Sequence, residues 1–328
     1  MKVLFQNLHK EWLGICRRMS FLILGISLFS QQAMAGEGIF GRSYLTDTLP
    51  KGKWEVEQTY WGKYGNFHGS YANSHYRTEV EYGVTDRFQE AIYVNYRHTY
   101  ANKDMRDGTT GGHDVPENAS PDKPYNALAF ETISFESIYR LLSPYKDPIG
   151  LALYLEPGFG PNKIEIEPKL ILQKNFLEDR LIWAFNLTWE LEWERQTGGV
   201  EIESESEGEE PGLTKKRWTK ETEFETSTGL MYRFARKWWG GLEFRHHSEI
   251  GSFNPKDIEH FAFFAGPTIH YGGQRFWITA NVLLQLPFGV PINEENQENT
   301  EKDFGSVGRI FGDEHYKVEV RVKMGYAF

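Results

Sequence analysis

Large apolar residues occupy every second position from Leu181 to Trp193, in the stretch LIWAFNLTWELEWER. The residues between them become polar along the stretch, and Glu190, Glu192 and Glu194 stand at alternate positions near its end. Successive side chains of a β-strand point to opposite faces, so the pattern predicts a strand with one apolar face and one increasingly acidic face.

The same alternation recurs along the chain and predicts about twelve strands, an even number, as in bacterial outer-membrane barrels. Connections after even-numbered strands are short, whereas those after strands three, seven and eleven are long and polar, which resembles short periplasmic turns and longer external loops. We therefore predict an all-β fold, a closed antiparallel transmembrane β-barrel. The predicted strands cover residues 51–64, 70–82, 87–100, 128–142, 149–158, 163–174, 181–196, 217–234, 238–250, 259–271, 275–286 and 315–328.

A soluble β-sandwich or barrel is the alternative, with the apolar face as its core and the polar face in water. The aromatic content of 15% argues for a membrane, because Trp and Tyr cluster at both membrane interfaces. The aromatic residues near predicted strand ends are Trp189, Trp193, Tyr232, Trp238, Trp239 and Tyr326.

The N-terminus has the pattern of a secretory signal peptide. Four basic residues precede or flank an apolar run, Phe21–Phe29, that is too short to span a bilayer as a helix. Ala33-Met34-Ala35 follows as a cleavage site, so residues 1–35 are predicted to be removed and residues 36–328 to form the barrel. The alternative is a buried N-terminal helix.

Cleavage removes four basic residues and one acidic residue, which changes the formal net charge from −10 to −13. This acidity argues against nucleic acid as a partner. Cys16 is the single cysteine, and it is also removed, so disulfides are not expected in the exported chain. The residue before Cys16 is not small, which argues against a lipid anchor.

Charged positions on the polar strand faces are predicted to line the lumen. Two interpretations remain open: a polar channel for small polar solutes, with an acidic and a basic half, or a lumen plugged by salt bridges. The carboxylates are Glu190, Glu192, Glu194, Glu221, Glu223 and Glu225, and the favoured arginines are Arg77, Arg97, Arg140, Arg233 and Arg321.

The chain ends in VEVRVKMGYAF, in which Tyr326 and the terminal Phe328 continue an alternating apolar pattern. This ending resembles the assembly signal of outer-membrane barrels and implies recognition by the barrel-assembly machinery. The chain as a whole resembles an uncharacterised, porin-like Gram-negative outer-membrane β-barrel family. The resemblance implies signal-directed export to the bacterial outer membrane, with lipid and lipopolysaccharide as surroundings.

One short motif carries an enzymatic alternative. His246-x-Ser248 resembles the H-x-S of lipid A deacylases and outer-membrane phospholipase A, which implies Ser248 as nucleophile, His246 as base and Glu259 as the residue that orients the base. The resemblance is local, and Glu249 stands where those families have an asparagine that helps to stabilise the oxyanion.

Standard metal and nucleotide motifs are missing from the sequence, so no metal or cofactor is predicted. The sequence favours a non-enzymatic barrel: a narrow pore or transporter for small polar solutes, or a structural barrel. The alternative is a lipid-acting serine hydrolase.

Overall fold

The computed structural model describes residues 38–66, 68–105, 107–111, 114–116, 118–195, 218–254, 258–287 and 315–328. These residues form twelve strands, and no helix among them is long and apolar enough to cross a membrane. The strands are β1 (Trp54–Tyr64), β2 (Ser70–Thr85), β3 (Phe88–Asn102), β4 (Tyr125–Leu142), β5 (Gly150–Phe159), β6 (Lys163–Phe176), β7 (Leu181–Arg195), β8 (Trp218–Ala235), β9 (Trp238–Ile250), β10 (Ile258–Gly272), β11 (Phe276–Gln285) and β12 (Val318–Ala327).

Each strand pairs antiparallel with its sequence neighbours, and β1 pairs with β12 to close the barrel. At this closure Val56 lies opposite Tyr326, and the Phe328 N–H donates to the Trp54 carbonyl at 2.8 Å. The prediction of a closed, twelve-stranded antiparallel barrel is therefore confirmed. Closure pairs the backbone groups of every strand, which is the condition for crossing hydrocarbon as a sheet.

The outer surface is apolar on all sides of the barrel. Each strand has at least ten residues, enough to cross the hydrocarbon core when tilted. Leu242 of β9 is 65% exposed, whereas its neighbour Glu243 is 1% exposed on the lumen side. The apolar face is thus outside and the polar face inside, which overturns the alternative of a soluble sandwich. Exposed apolar residues include Val56, Tyr76, Ile92, Phe135, Leu153, Leu230, Ile269, Leu284 and Met324.

Trp239 corrects one part of the aromatic prediction. Its side chain is only 3% exposed and packs inside the barrel, whereas the adjacent Trp238 is 42% exposed on the outside. Placing Trp239 among the membrane-interface aromatics was wrong. Two consecutive residues of a strand point to opposite faces, so only one of this pair can face lipid.

Residues 38–50 precede β1 and lie inside the barrel; we refer to them as the lumen segment. We call the barrel end with the short connections the inner end and the opposite end the outer end. The lumen segment contacts lumen-facing side chains near the inner end. The sequence analysis did not predict this segment. Its apolar side chains form a buried cluster with the wall: Ile39, Phe40 and Leu45 with Ile182, Ala184, Met231 and Trp239.

Candidate functional site

The outer part of the lumen contains a cavity of about 200 Å³ that is bounded in part by Arg42 and Tyr44 of the lumen segment. Charged side chains of both signs dominate its wall, so the cavity is strongly polar with little net charge. The carboxylates are Glu57, Glu79, Glu131, Glu156, Glu165, Glu167, Glu190, Glu223 and Glu225, and the basic groups are Arg42, Lys63, Arg77, Lys163, Lys169, Arg245, Arg321, Lys323 and His75.

Carboxylates of β7 and β8 face one another across the strand pair. The register sets Glu190 opposite Glu223 and Glu192 opposite Glu221. Like charges in this position repel unless a cation lies between them. Lys163 of β6 supplies a cation to the two glutamates of β7, with its Nζ 2.6 Å from Glu192 and 3.9 Å from Glu190. Lys163 was not among the cations expected from sequence.

Glu223 and Glu225 have their own basic partners. The Nε2 of His247 lies 2.9 Å from Oε2 of Glu223. Glu225 accepts a bond from Arg245 Nε at 2.6 Å and is also bound by the guanidinium of Arg42, which comes from the lumen segment. Basic groups of β9 and of the lumen segment thus bind the carboxylates of β8 and link these three parts of the chain.

The other expected lumen residues are distributed from one end of the barrel to the other. Near the inner end, Arg140 binds Asp47 of the lumen segment, whereas Arg97 lies toward the outer end. The arginines in ion pairs are Arg77 with Glu156 at 3.5 Å, Arg97 with Asp114 at 2.7 Å, Arg140 with Asp47 at 3.4 Å and Arg321 with Glu319 at 3.9 Å. Arg233 instead stacks over the ring of Trp239. The side chains of Glu194 and Glu221 are exposed.

Glu243 attaches the lumen segment to β9. Its Oε1 accepts the backbone N–H of Gly41 at 2.7 Å, and its Oε2 accepts those of Arg42 and Ser43 at 2.8 and 2.9 Å. Thr268 also donates to Oε1, at 2.5 Å. Hydrogen bonds to a charged acceptor contribute about 1.5–3 kcal/mol each, so this buried carboxylate is a strong attachment of the lumen segment.

Amide side chains on three other strands bind the backbone farther along the lumen segment. The Tyr44 N–H donates to Oδ1 of Asn186 at 2.5 Å, and Nδ2 of Asn186 donates back to the Tyr44 carbonyl at 3.1 Å. Gln173 accepts the N–H of Thr46 at 2.8 Å, and Gln89 accepts that of Leu49 at 2.7 Å. The wall thus satisfies backbone groups that would otherwise be buried without partners.

Asp47 adds a charged contact near the inner end. Its carboxylate accepts the hydroxyl of Tyr145 at 2.9 Å and Nε2 of Gln173 at 3.3 Å. Burial raises the pKa of Asp47, and the hydrogen bonds and the nearby Arg140 partly offset that rise. The end of the lumen segment is therefore bound by neutral and charged groups together.

Asp114 partly covers the outer end of the lumen. It belongs to the long connection between β3 and β4, and it accepts bonds from Tyr71 at 2.8 Å and Arg97 at 2.7 Å, and also from Asn73. A carboxylate from an external loop is in this way fixed to the lumen wall. The polar cavity lies between this contact and the lumen segment.

His246 and Ser248 lie on the outer, lipid-facing side of β9, with Oγ of Ser248 2.9 Å from Nε2 of His246. The ring of His246 contacts Phe224, Phe261 and Phe263. The two side chains are thus within hydrogen-bond reach, as a base and a nucleophile would need to be.

The third member of that hypothesis remains without support. The side chain of Glu259 lies outside the described residues, although its backbone is part of β10. Among the described side chains no carboxylate hydrogen-bonds to His246. Glu249 lines the lumen side of β9, on the face opposite to Ser248. A serine–histidine pair packed among phenylalanines is also what an amphipathic histidine adopts at a membrane interface.

The lumen segment and its attachments are the functional feature that sequence analysis missed. Residues 38–50 have no extended alternation, so they predicted neither a strand nor a plug. One signal was present in the sequence: uncharged amides at lumen-facing positions, such as Asn186 and Gln173, offer hydrogen bonds that a water-filled wall does not require.

Comparison with solved structures returns outer-membrane channels. The NanC porin is 11% identical, with 83% of this chain and 98% of that chain covered and a TM-score of 0.43. The COG4313 outer membrane channel from Pseudomonas putida F1 is 11% identical, with 86% and 98% covered and a TM-score of 0.49. The KdgM porin is 9% identical, with 84% and 99% covered and a TM-score of 0.42. Similarities at this identity do not indicate a solute.

No curated protein matches the sequence. Residues 32–328, which include the lumen segment and all twelve described strands, match the sequence profile of the family of unknown function DUF6662. The chain therefore belongs to the DUF6662 family, and its described strands form a closed twelve-stranded antiparallel β-barrel.

Proposed function

We propose that the protein is a narrow outer-membrane pore for small polar solutes, in which the lumen segment sets the conducting cross-section. One observation carries this proposal: a polar cavity is bounded by a segment that Glu243 holds by three backbone hydrogen bonds. A twelve-stranded barrel is wider than an eight-stranded barrel that side chains can fill, so it has room for a segment and a cavity.

The charges of the cavity favour weak ion selectivity. Nine glutamates and eight lysines or arginines line it, and ion pairs of opposite charge neutralise most of them locally. Small polar or zwitterionic solutes can exchange hydrogen bonds with such a wall without entering a strong field of one sign. The salt bridges also narrow the lumen, which supports a pore of small conductance.

Export to the outer membrane is the second part of the proposal. Cleavage after Ala35 gives an N-terminus at Gly36, two residues before Gly38, the first described residue of the lumen segment. We infer that residues 38–50, which follow this terminus closely, enter the barrel during assembly. Tyr326 and Phe328, whose rings lie 5.0 Å apart at the closing strand, are the groups we assign to recognition by the barrel-assembly machinery.

The test is single-channel conductance in planar bilayers. Wild-type protein should give small discrete steps, and Glu243→Gln should give larger or more frequent openings because it weakens the attachment of the lumen segment. Glu165→Gln is the matched control. It removes one carboxylate charge from the inside of the barrel, as Glu243→Gln does, but none of the bonds to the lumen segment.

Two results would contradict the proposal. Silence of the wild type, of Glu243→Gln and of a variant lacking residues 38–50, all with folded barrels, would leave a structural barrel as the function. Equal conductance of the wild type and Glu243→Gln would show that the lumen segment does not set the cross-section.

A further inference from the structure

Two histidines and a glutamate meet at the outer end of the lumen. His247 and Glu249 are on the lumen face of β9, and His315 precedes β12. Each offers one ligand atom, and these atoms lie within 4.8 Å of one another. A small cavity of about 30 Å³ is lined by all three residues.

His247 is buried and one of its ring nitrogens has no hydrogen-bond partner. Its side chain is 7% exposed, and among the described residues no group hydrogen-bonds to its Nδ1. Oε1 of Glu249 lies 3.9 Å from this Nδ1, which is too far for a hydrogen bond. A buried nitrogen in this position is costly unless something binds it.

The other nitrogen of the same ring is fixed by Glu223. Oε2 of Glu223 lies 2.9 Å from Nε2 of His247, so Nε2 is the nitrogen that donates to the carboxylate, and Nδ1 of the neutral ring is left to bind a metal. Metal-binding histidines commonly donate their second nitrogen to a carboxylate in this way, which sets the tautomer and strengthens the ligand. The ring of His315 lies at 82° to that of His247, with centroids 5.5 Å apart.

We propose that His247, Glu249 and His315 form a binding site for a divalent transition metal of the zinc class, oriented by Glu223. Imidazole and carboxylate together suit Zn²⁺, whereas Ca²⁺ and Mg²⁺ prefer sets of oxygen ligands. Three protein ligands leave a coordination position for water or a solute. The site is defined by equilibrium binding and does not depend on whether the lumen conducts.

Among the described residues two other clusters contain only carboxylates, and neither supports a comparable site. Glu165, Glu190 and Glu192 surround Lys163, whose ammonium group already provides the positive charge. Of the second cluster, Glu57 pairs with Lys323 at 3.4 Å. The histidine cluster differs from both because it presents a buried nitrogen lone pair.

The test is isothermal titration of Zn²⁺ into untagged, detergent-folded protein, with folding checked by circular dichroism. We expect one saturable site per chain. His247→Ala and His315→Ala should each weaken binding by about tenfold or more, and Glu223→Gln by about 10–100-fold. His246→Ala is the matched control: it removes the adjacent histidine from the opposite face of β9 and should bind Zn²⁺ as the wild type does.

A wild type that does not bind Zn²⁺ would overturn the proposal. So would binding that His247→Ala and His315→Ala both leave unchanged. If either variant fails to fold, Co²⁺ added to the wild type provides the second measurement. Visible absorption bands of a nitrogen-ligated Co²⁺ site, lost on adding Zn²⁺ and kept on adding Mg²⁺, support the site, and their absence overturns it.

Discussion

The backbone N–H of Gly41 donates to Oε1 of Glu243 at 2.7 Å, although 202 positions separate the two residues in the chain. The same carboxylate accepts the next two backbone N–H groups, of Arg42 and Ser43. Three consecutive donors thus converge on one buried side chain. The attachment is local, and it can be weakened by one substitution without altering the lipid-facing surface.

Glu243→Gln should loosen the lumen segment while the barrel stays intact. A glutamine keeps one acceptor oxygen but turns the other position into a donor, which opposes the N–H groups of Arg42 and Ser43. Loss of two bonds to a charged acceptor removes about 1.5–3 kcal/mol each from the local attachment. Hydrogen–deuterium exchange of peptides from residues 38–50 should be faster, and exchange in β7 unchanged. Unchanged exchange in the lumen segment would show that Glu243 does not hold it.

A disulfide should lock the lumen segment in place. Oγ of Ser43 lies 3.2 Å from Oγ of Ser227 on β8, in a buried setting. Cysteines at two such positions have side chains close enough for bridging. In the Glu243→Gln background, oxidised Ser43→Cys/Ser227→Cys should return to wild-type conductance, and reduction should restore the larger openings. The single variant Ser43→Cys, treated with the same oxidant, controls for oxidation. If oxidation and reduction leave the conductance unchanged, the proposal that movement of the lumen segment changes the conducting cross-section is contradicted.

The strands were predictable because the two faces of each strand lie in different environments, lipid on one side and the barrel lumen on the other. Lipid requires one apolar face, and the lumen tolerates polar residues on the other, so alternation such as that from Leu181 to Trp193 appears in the sequence. The prediction that both Trp238 and Trp239 face the membrane interface was wrong, because residue type alone does not determine which face of a strand a side chain occupies. There the strand register decides, and Trp239 faces the lumen segment.

The candidate site was only partly predictable, because its partners depend on three-dimensional register. The glutamate face of β7 was evident, but nothing in the sequence pairs Lys163 with Glu192. In the same way His247 and His315 come together only because the barrel brings the start of β12 near the end of β9. Local alternation assigns residues to faces, whereas contacts between distant strands require the closed barrel.

We expect no lipid hydrolysis by Ser248, because its side chain is only 5% exposed. Its bond to His246 supplies two members of a triad, but no described carboxylate binds the imidazole. A base in such a triad needs a carboxylate to orient it and to stabilise it when it takes the proton, and the side chain of Glu259 lies outside the described residues. Acyl release from phospholipid and lipid A vesicles should be at background for both the wild type and Ser248→Ala. Release that is lost in Ser248→Ala would establish the hydrolase and show that Glu259 or another group completes the site.

The lipid-facing surface should penalise charge according to depth. Leu242 is 65% exposed on the outside of β9, between the exposed Leu230 and residues of β10. Leu242→Arg should lower the free energy of unfolding by about 2–4 kcal/mol, because arginine in the hydrocarbon loses its hydration. Leu128 is 68% exposed near the outer end of β4, opposite His98, so Leu128→Arg should cost only about 0–1 kcal/mol. Reversible urea unfolding in lipid vesicles measures both variants. An equal decrease in the free energy of unfolding in both variants would mean that the two leucines lie in the same environment. It would contradict the expectation that Leu128 lies outside the hydrocarbon region.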